Sequence, residues 1–191
     1  MTEQEIIDSV RQARKEEVRF FSSTAKPERE RWVVREFLTW LGLGFSSEEV
    51  QSPPEGDPVD VSFRSASFQI KEICDPTERR HGRLKKSLWR AEQAITARDL
   101  FGSAEGRDIV FIDVVDLLIE VAASSNFSPR VKDDLDLLFY VTRPHASFYE
   151  PCEVASDKLR SFGWRSISCL FGQKPLLLLA TDSSPPFLRP S

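Results

Sequence analysis

The sequence predicts an α/β (α+β) protein in which a mixed β-sheet is flanked by helices. Segments with helical spacing alternate with short apolar runs of strand length. The 191 residues, of which 40% are hydrophobic, are enough for one domain with a substantial core. We therefore expect a single domain over residues 1–191, with an α/β core at 27–142, an added helix and hairpin at 143–181, and a flexible tail at 182–191.

Five segments have the composition of helices. Residues 3–20 carry a spaced apolar series, and the next helix opens after Lys26-Pro27 because proline suits the first helical turn. That helix continues through ERERWVVREFLTWLG to Gly42 or Gly44. Later helices are predicted at 78–101, 113–124 and 153–163. The first of these has an apolar stripe at Leu84, Leu88, Ala91, Ile95 and Leu100.

The strand candidates complete the predicted order. Three extended segments, EEVQS, VDVSF and SFQIKEI, lie between the second and third helices. The run LDLLFYVT predicts a fully buried strand, and two apolar runs on either side of Gly172 predict a C-terminal hairpin. From residue 27 onward the order is helix, three strands, helix and, after an inserted helix, a further strand.

Charge and composition exclude several classes of function. The net charge of -4 gives no global attraction to nucleic acid or to an anionic membrane, so any polyanion must be bound locally. The N-terminus lacks the basic and apolar regions of a secretory signal, and the longest apolar run is too short to span a bilayer. We expect a soluble cytoplasmic protein with no membrane partner.

Other chemistries have little support in the sequence. Cys74, Cys152 and Cys169 are far apart and form no CxxC pair, so neither a disulfide framework nor a thiolate zinc site is predicted. His81 and His145 have no neighbouring cysteine with which to bind zinc. GxSxG, P-loop and Rossmann glycine patterns do not occur.

The stretch DPVDVSFRSASFQIKEI, residues 57–73, predicts a β-hairpin with one apolar and one polar face. With the turn at Ser65-Ala66, Phe63 faces Phe68 and Val61 faces Ile70, whereas Ser62 faces Gln69 and Asp60 faces Lys71. A slip by one residue would put Asp60 or Lys71 among the phenylalanines, so the apolar pattern specifies this pairing. The alternative interpretation is an ordinary amphipathic hairpin with a weak surface ion pair.

Two glutamates of the preceding helix are candidates to join Asp60. Glu30 lies one turn before Val33 and Val34, along the middle of the apolar stripe, while Glu36 lies at its margin. A carboxylate that faces a core needs a partner, which a metal held by Asp60 would provide. Alternatively, Glu30 is a first-turn acid stabilised by the helix dipole.

A helix with an inward glutamate, Asp60 on a hairpin, and Gln69-x-Lys71 on its second strand, followed by a basic helix, resembles the PD-(D/E)xK nuclease superfamily. The resemblance covers roughly residues 27–105 and extends to LDLLFYVT as the last core strand. It implies a restriction-endonuclease-like core. The stretches KPERERWV, FQIKEI and RRH are also similar to a bacterial endonuclease family catalogued as a domain of unknown function.

The resemblance implies roles for individual residues in a site that uses Mg²⁺ or Mn²⁺. Asp60 would bind the metal directly, Gln69 would offer its carbonyl oxygen, and Glu30, or Glu36 in its place, would complete the site. Lys71 would orient or activate the attacking water. The superfamily usually has glutamate where this chain has Gln69, although some members, including an endonuclease subunit of a bacterial transposase, have glutamine there.

The run RRHGRLKK provides local positive charge for DNA, through Arg79, Arg80, Arg83, Lys85, Lys86 and then Arg90. A solvated basic helix face is the alternative interpretation. The resemblance favours a metal-dependent DNA endonuclease, and a homodimer would suit the cutting of two strands. Two other functions stay open. One is a non-catalytic nuclease-fold module that binds nucleic acid or a protein, and the other is an interaction protein with a merely polar hairpin face.

Overall fold

A computed structural model describes residues 1–74, 80–100, 109–124, 126–142, 146–147 and 156–189. The chain forms two compact units, one of Met1–Arg29 with Cys74–Arg107 and one of Glu30–Ile73 with Asp108–Ser191. The single domain over residues 1–191 therefore stays a prediction.

The described helices are Glu3–Phe20 (α1), Lys26–Trp40 (α2), Arg80–Gln93 (α3), Phe111–Ala123 (α4), Pro129–Lys132 (α5) and Ser156–Arg160 (α6). The described strands are Val50–Gln51 (β1), Val61–Phe63 (β2), Ala66–Ile73 (β3), Ile109–Val110 (β4), Asp136–Val141 (β5), Ala146–Ser147 (β6), Ser166–Phe171 (β7) and Lys174–Ala180 (β8). The predicted order of helix, three strands, helix and strand is confirmed by α2, β1, β2, β3, α3 and β5.

The first unit is built on the pairing of α1 with α3. Ile7, Leu84 and Ala91 are buried in it, as the apolar spacing predicts. Arg11 of α1 donates from its guanidinium to the carbonyl oxygens of Ala91 and Ala94, and these bonds satisfy carbonyls at the end of α3. The long helix predicted at 78–101 is thus shorter than expected.

The second unit contains a six-stranded sheet in the order β1-β2-β3-β5-β7-β8. β3, β5 and β7 are parallel to one another, while β1, β2 and β8 are joined to the sheet by antiparallel pairing. This mixed sheet confirms the predicted fold class, and the β7–β8 pair is the predicted C-terminal hairpin. β4 and β6 form a separate parallel pair.

Both faces of the sheet are covered, which explains why the central strands are apolar on both sides. One face packs against α2 and includes Val34, Phe37 and Phe68. The other face packs against α4 and includes Leu118 and Trp164. Helices therefore flank the sheet on both sides, as the sequence predicts.

Two details differ from the sequence prediction. Ile95, expected in the buried stripe, is 85% exposed, because α3 ends at Gln93 and the apolar spacing of the helix no longer applies beyond it. The tail expected to be flexible carries a short helical turn at Pro186–Leu188 in which Leu188 is 0% exposed. Burial of Leu188 and Phe187 in the cluster under α2 holds this segment against the sheet.

A buried ion pair joins the amino-terminal ends of the parallel strands. The guanidinium of Arg165 donates from both Nε and Nη2 to the carboxylate of Asp136, which is 1% exposed. The hydroxyl of Ser166 and the backbone N–H of Ser67 also donate to this carboxylate, at 2.8 and 2.9 Å. The Arg165 guanidinium further donates to the carbonyl oxygen of Ser65 in the turn between β2 and β3. One charged pair thus ties β3, β5, β7 and the hairpin turn together.

Substitution Asp136→Asn is expected to lower the free energy of unfolding by about 3–5 kcal/mol, because it leaves the Arg165 charge buried without its partner. The measurement is the urea midpoint at unchanged m-value. The double variant Asp136→Leu/Arg165→Met should be less destabilised than Asp136→Asn, since it removes both charges. Glu17→Gln, which breaks the solvent-accessible Arg14–Glu17 pair of α1, is the control and should change stability little. A small effect of Asp136→Asn, similar to that of Glu17→Gln, would contradict this assignment.

Candidate functional site

The hairpin that carries the predicted site differs in register from the prediction. Val61 pairs with Phe68, Ser62 with Ser67 and Phe63 with Ala66, so the turn is at Arg64-Ser65 and not at Ser65-Ala66. The predicted pairing of Asp60 with Lys71 is therefore wrong. When the centre of a hairpin turn moves by one residue, each residue pairs with a partner two positions away from the expected one. Because side chains alternate with a period of two, every side chain stays on its predicted face.

The turn residue Arg64 explains why the sequence predicted the wrong position for the hairpin turn. Its φ of 51° suits the first central position of a two-residue hairpin turn, where glycine is usual. The Arg64 side chain holds the turn through bonds to Glu49 Oε1 at 3.0 Å and to the Gly44 carbonyl at 2.8 Å. It also stacks over the ring of Phe63 at 4.7 Å. These tertiary contacts offset the strain of the positive φ. The sequence contains no turn motif that would predict them.

Asp60 lies immediately before β2 and is bonded to β3 through both its backbone and its side chain. Its N–H donates to the carbonyl oxygen of Phe68, at 2.8 Å. Its carboxylate oxygen Oδ2 accepts from the Ile70 N–H, also at 2.8 Å. The same oxygen accepts from the amide Nε2 of Gln69. The carboxylate therefore takes the place of a strand carbonyl at the point where the regular ladder of β2 stops.

Gln69 and Lys71 lie on the face of β3 that is opposite to Phe68 and Ile70, and this face is the one covered by α4. Their positions along β3 are two residues apart, or about 6.6 Å at the usual rise of a strand. Gln69 is 6% exposed, whereas Lys71 is half-buried. Among the described residues, no hydrogen bond or ion pair involves the Lys71 ammonium. Asp60, Gln69 and Lys71 thus share one face, although not in the predicted pairing.

The two glutamates of α2 differ in burial. Glu30 is 8% exposed, while Glu36 is half-buried. Glu72, which follows Lys71 directly, lies on the opposite face of β3, is exposed, and accepts from the hydroxyl of Thr142 at 2.6 Å. The alternation of side chains along the strand predicts that Glu72 lies on the face opposite to Gln69 and Lys71. Its position in β3 confirms this.

The donor set of this region suits a hard divalent cation better than a soft one. Asp60 and Gln69 meet side chain to side chain and offer carboxylate and amide oxygens, the ligand types that Mg²⁺ prefers. Within the described parts of the chain, no group of three or more His, Cys, Asp and Glu residues could hold a metal ion. Any cation held by these two side chains would have to keep several waters, because Glu30 belongs to α2, the helix that packs against the other face of the sheet.

The basic helix is described only in part. Arg79 lies outside the described residues, as do the side chains of Arg80 and His81, although α3 begins at Arg80. Lys85, Lys86 and Arg90 are exposed, and Arg83 is half-buried. The described cations of α3 therefore reach solvent, and their role in binding stays a prediction.

The structure describes two of the three thiols. Cys169 is fully buried in β7, and this burial raises the pKa of its thiol well above the usual range. Cys74 is exposed, and Cys152 lies outside the described residues, as does His145. None of the helices that the structure describes is long and apolar enough to cross a membrane.

The Asp136–Arg165 pair is the part of this region that the sequence interpretation missed. The sequence does contain a signal for a buried ion pair, because Asp136 is an acid inside the apolar run LDLLFYVT and such a residue needs a buried partner. Nothing in the sequence identifies Arg165, 29 residues away, as that partner.

Comparison with known proteins finds no relative among curated proteins. A solved structure that resembles the chain is a protein of unknown function from Pseudomonas aeruginosa strain PAO1, described as belonging to the monooxygenase superfamily. It is 24% identical, the match covers 98% of this chain and 91% of that chain, and the TM-score is 0.62, a likeness that shows the fold alone. The sequence also matches, over residues 2–191, the family DUF1780, whose description is "Putative endonuclease, protein of unknown function". The chain therefore belongs to the DUF1780 family.

Proposed function

We propose that this protein is a metal-dependent endonuclease that hydrolyses phosphodiester bonds of DNA, with Asp60, Gln69 and Lys71 at its centre. The observation that carries the proposal is the direct contact of Asp60 with Gln69, beside a lysine on the same strand face. This arrangement follows the residue order of the PD-(D/E)xK nucleases. The endonuclease description of the family is consistent with it.

The chemistry of a phosphodiester explains why these residue types are needed. The substrate is anionic and repels hydroxide, and a bound Mg²⁺ or Mn²⁺ would supply positive charge and acidify a water. Asp60 would hold the cation, and its bond to the Ile70 N–H fixes where the carboxylate lies. Lys71 would orient the attacking water and stabilise negative charge on the phosphate. Glu30 and Glu36 belong to α2, which packs against the opposite face of the sheet, so the proposed site does not include either of them.

Gln69 decides whether this site can work. In the structure its amide nitrogen, not its oxygen, faces the carboxylate of Asp60. To act as a ligand, the side-chain amide must turn so that its oxygen points toward the shared cation. The cost of this turn is the loss of the Gln69–Asp60 hydrogen bond, about 1.5–3 kcal/mol when the acceptor is charged.

The same hydrogen bond favours a second candidate function, a nuclease-fold module that binds nucleic acid or a protein without cutting. A carboxylate that is already bonded by an amide and a backbone N–H does not need a metal to be stable in this position. The monooxygenase description of the structural neighbour has no comparable support in the residues of this region, and we do not extend it to this chain.

The first test is cleavage of supercoiled plasmid, linear duplex and single-stranded DNA by the full chain, with Mg²⁺, Mn²⁺ or EDTA. Asp60→Asn keeps an oxygen for the Ile70 N–H but removes the charge, and Lys71→Ala removes the ammonium. Each is expected to slow cleavage by about 10²-fold or more. Glu72→Gln is the matched control on the opposite face of β3 and should cleave normally.

Cleavage at the wild-type rate by both Asp60→Asn and Lys71→Ala would overturn the site assignment. No cleavage of any substrate by the wild-type chain, together with retained DNA binding, would instead support the non-catalytic module. Urea midpoints of all variants show whether a loss of activity is only a loss of folding.

Gln69→Glu tests the metal separately from activity. Two facing carboxylates repel, so without metal the variant should have a lower Tm than the wild type. Mg²⁺ should then raise the Tm of the variant more than it raises the Tm of the wild type. At 100 times its Kd, a bound cation stabilises the folded state by about 2.7 kcal/mol. Asp60→Asn, the control, should show no Mg²⁺-dependent shift. Equal Mg²⁺ effects on all three proteins would show that the cation does not bind between residues 60 and 69.

Binding by the exposed cations of α3 predicts a dependence on salt. Duplex DNA binding in EDTA should weaken as salt rises, and Lys85→Ala or Arg90→Ala should each lower the slope of log K against log salt by about 0.9. Lys158→Ala, an exposed lysine of α6, is the control and should leave the slope unchanged. An equal slope in all four proteins would mean that α3 does not contact phosphates.

A further inference from the structure

One tryptophan of α3 is left in solvent. Trp89 is 65% exposed, whereas Trp164 is 1% exposed. Within the part of the chain that the structure describes, the Trp89 ring makes no aromatic or cation–π contact. An indole so exposed contributes little hydrophobic stabilisation to the folded state, so its large flat surface is available to a ligand.

The neighbours one turn before Trp89 on the helix surface are cations, while Glu92, three residues after it, is an exposed acid. Lys85 and Lys86 precede it by four and three residues, so all three side chains share one face of α3, with Cβ atoms of neighbours about 5–6 Å apart. Both lysines are exposed, as is Arg90, which follows Trp89 directly. The apolar side chains of the same helix, Leu84 and Ala91, are buried instead.

We infer that the α3 face formed by Lys85, Lys86 and Trp89 binds nucleic acid at an unpaired base, with the indole stacked on the base and the lysines at the flanking phosphates. The inference rests on the proposed function and names its substrate class, a nucleic acid that is single-stranded or locally opened. A base inside a duplex already has stacking partners on both sides, so an isolated ring gains a contact only where a base is unpaired.

Charge favours nucleic acid over other occupants of this face. The chain has a net charge of -4, so three exposed cations within four residues of Trp89, against the one exposed acid Glu92, are a local exception suited to a polyanion. A membrane surface needs a broad apolar helix face. On α3 the apolar side chains Leu84 and Ala91 are buried, and Trp89 is the only large exposed hydrophobic residue of this helix whose side chain the structure describes.

The test is binding of the full chain to fluorescein-labelled 20-mer oligonucleotides in EDTA, so that no cleavage occurs. Trp89→Ala is expected to weaken the binding of single-stranded DNA by about 5- to 150-fold and to affect a blunt duplex of the same length far less. Trp89→Phe should recover part of the loss, because a smaller ring still stacks. Trp40→Ala, at an indole that is 42% exposed in α2, is the control and should bind normally.

Unchanged single-strand binding by Trp89→Ala would overturn the inference, as would an equal loss on the duplex. Tight binding to phosphatidylserine vesicles with no binding to either oligonucleotide would also overturn it and would assign this face to membranes. Because the assay omits metal, its result is independent of catalysis. Trp89-dependent binding by a chain that never cleaves DNA would support this inference while refuting the endonuclease.

Discussion

The bidentate contact between Arg165 and Asp136 is the constraint on which the sheet of the second unit depends. The four bonds to the carboxylate of Asp136, at the start of β5, come from donors at the starts of β3 and β7, so these three strands begin at the same level. Gln69 lies opposite Leu137, one step along from the pairing of Phe68 with Asp136. Any small movement of this charged pair would therefore change where Gln69, and with it Asp60, lies.

The role of Asp60 follows from the end of a short strand. β2 begins at Val61, and the carboxylate of Asp60, the residue before it, extends the bonding to β3 with a side-chain oxygen. The residue is thus useful to the hairpin whether or not it binds a metal. Because Asp60 can serve either purpose, its geometry supports both a catalytic and a non-catalytic interpretation. The orientation of the neighbouring Gln69 amide distinguishes the two, since only an oxygen that faces the cation can act as a ligand.

Charge is unevenly distributed over this acidic chain. Cations are concentrated on the exposed side of α3, where the same helix also exposes Trp89. In a protein with net negative charge, a patch of this kind is where the proposed contacts with a polyanion would be made. Placement of the ring among the cations adds a contact that depends on stacking and is therefore less sensitive to salt than the phosphate contacts.

Periodicity was sufficient for much of the fold and for part of the site. The alternation of Val61, Phe63, Phe68 and Ile70 with polar residues determined which side chains share a face, because the side-chain period of a strand is two. The same alternation put Glu72 on the opposite face, and the helical spacing of α2 placed Glu30 nearer the middle of the apolar stripe than Glu36. Helix lengths were less accurate, since the end of α3 depends on Arg11, which binds its last carbonyls from another helix.

The sequence by itself determined the fold class, the order of the elements and the residues that share the polar face of the hairpin, because these follow from local patterns of two and 3.6 residues. Only the tertiary structure decided the register and the burial of Asp136. Arg64 adopts a positive φ because Glu49 and Gly44 hold its side chain, and Asp136 is stable in the core because Arg165 meets it there. Contacts between residues distant in sequence leave no local pattern, so the strand faces were predictable and the pairing was not.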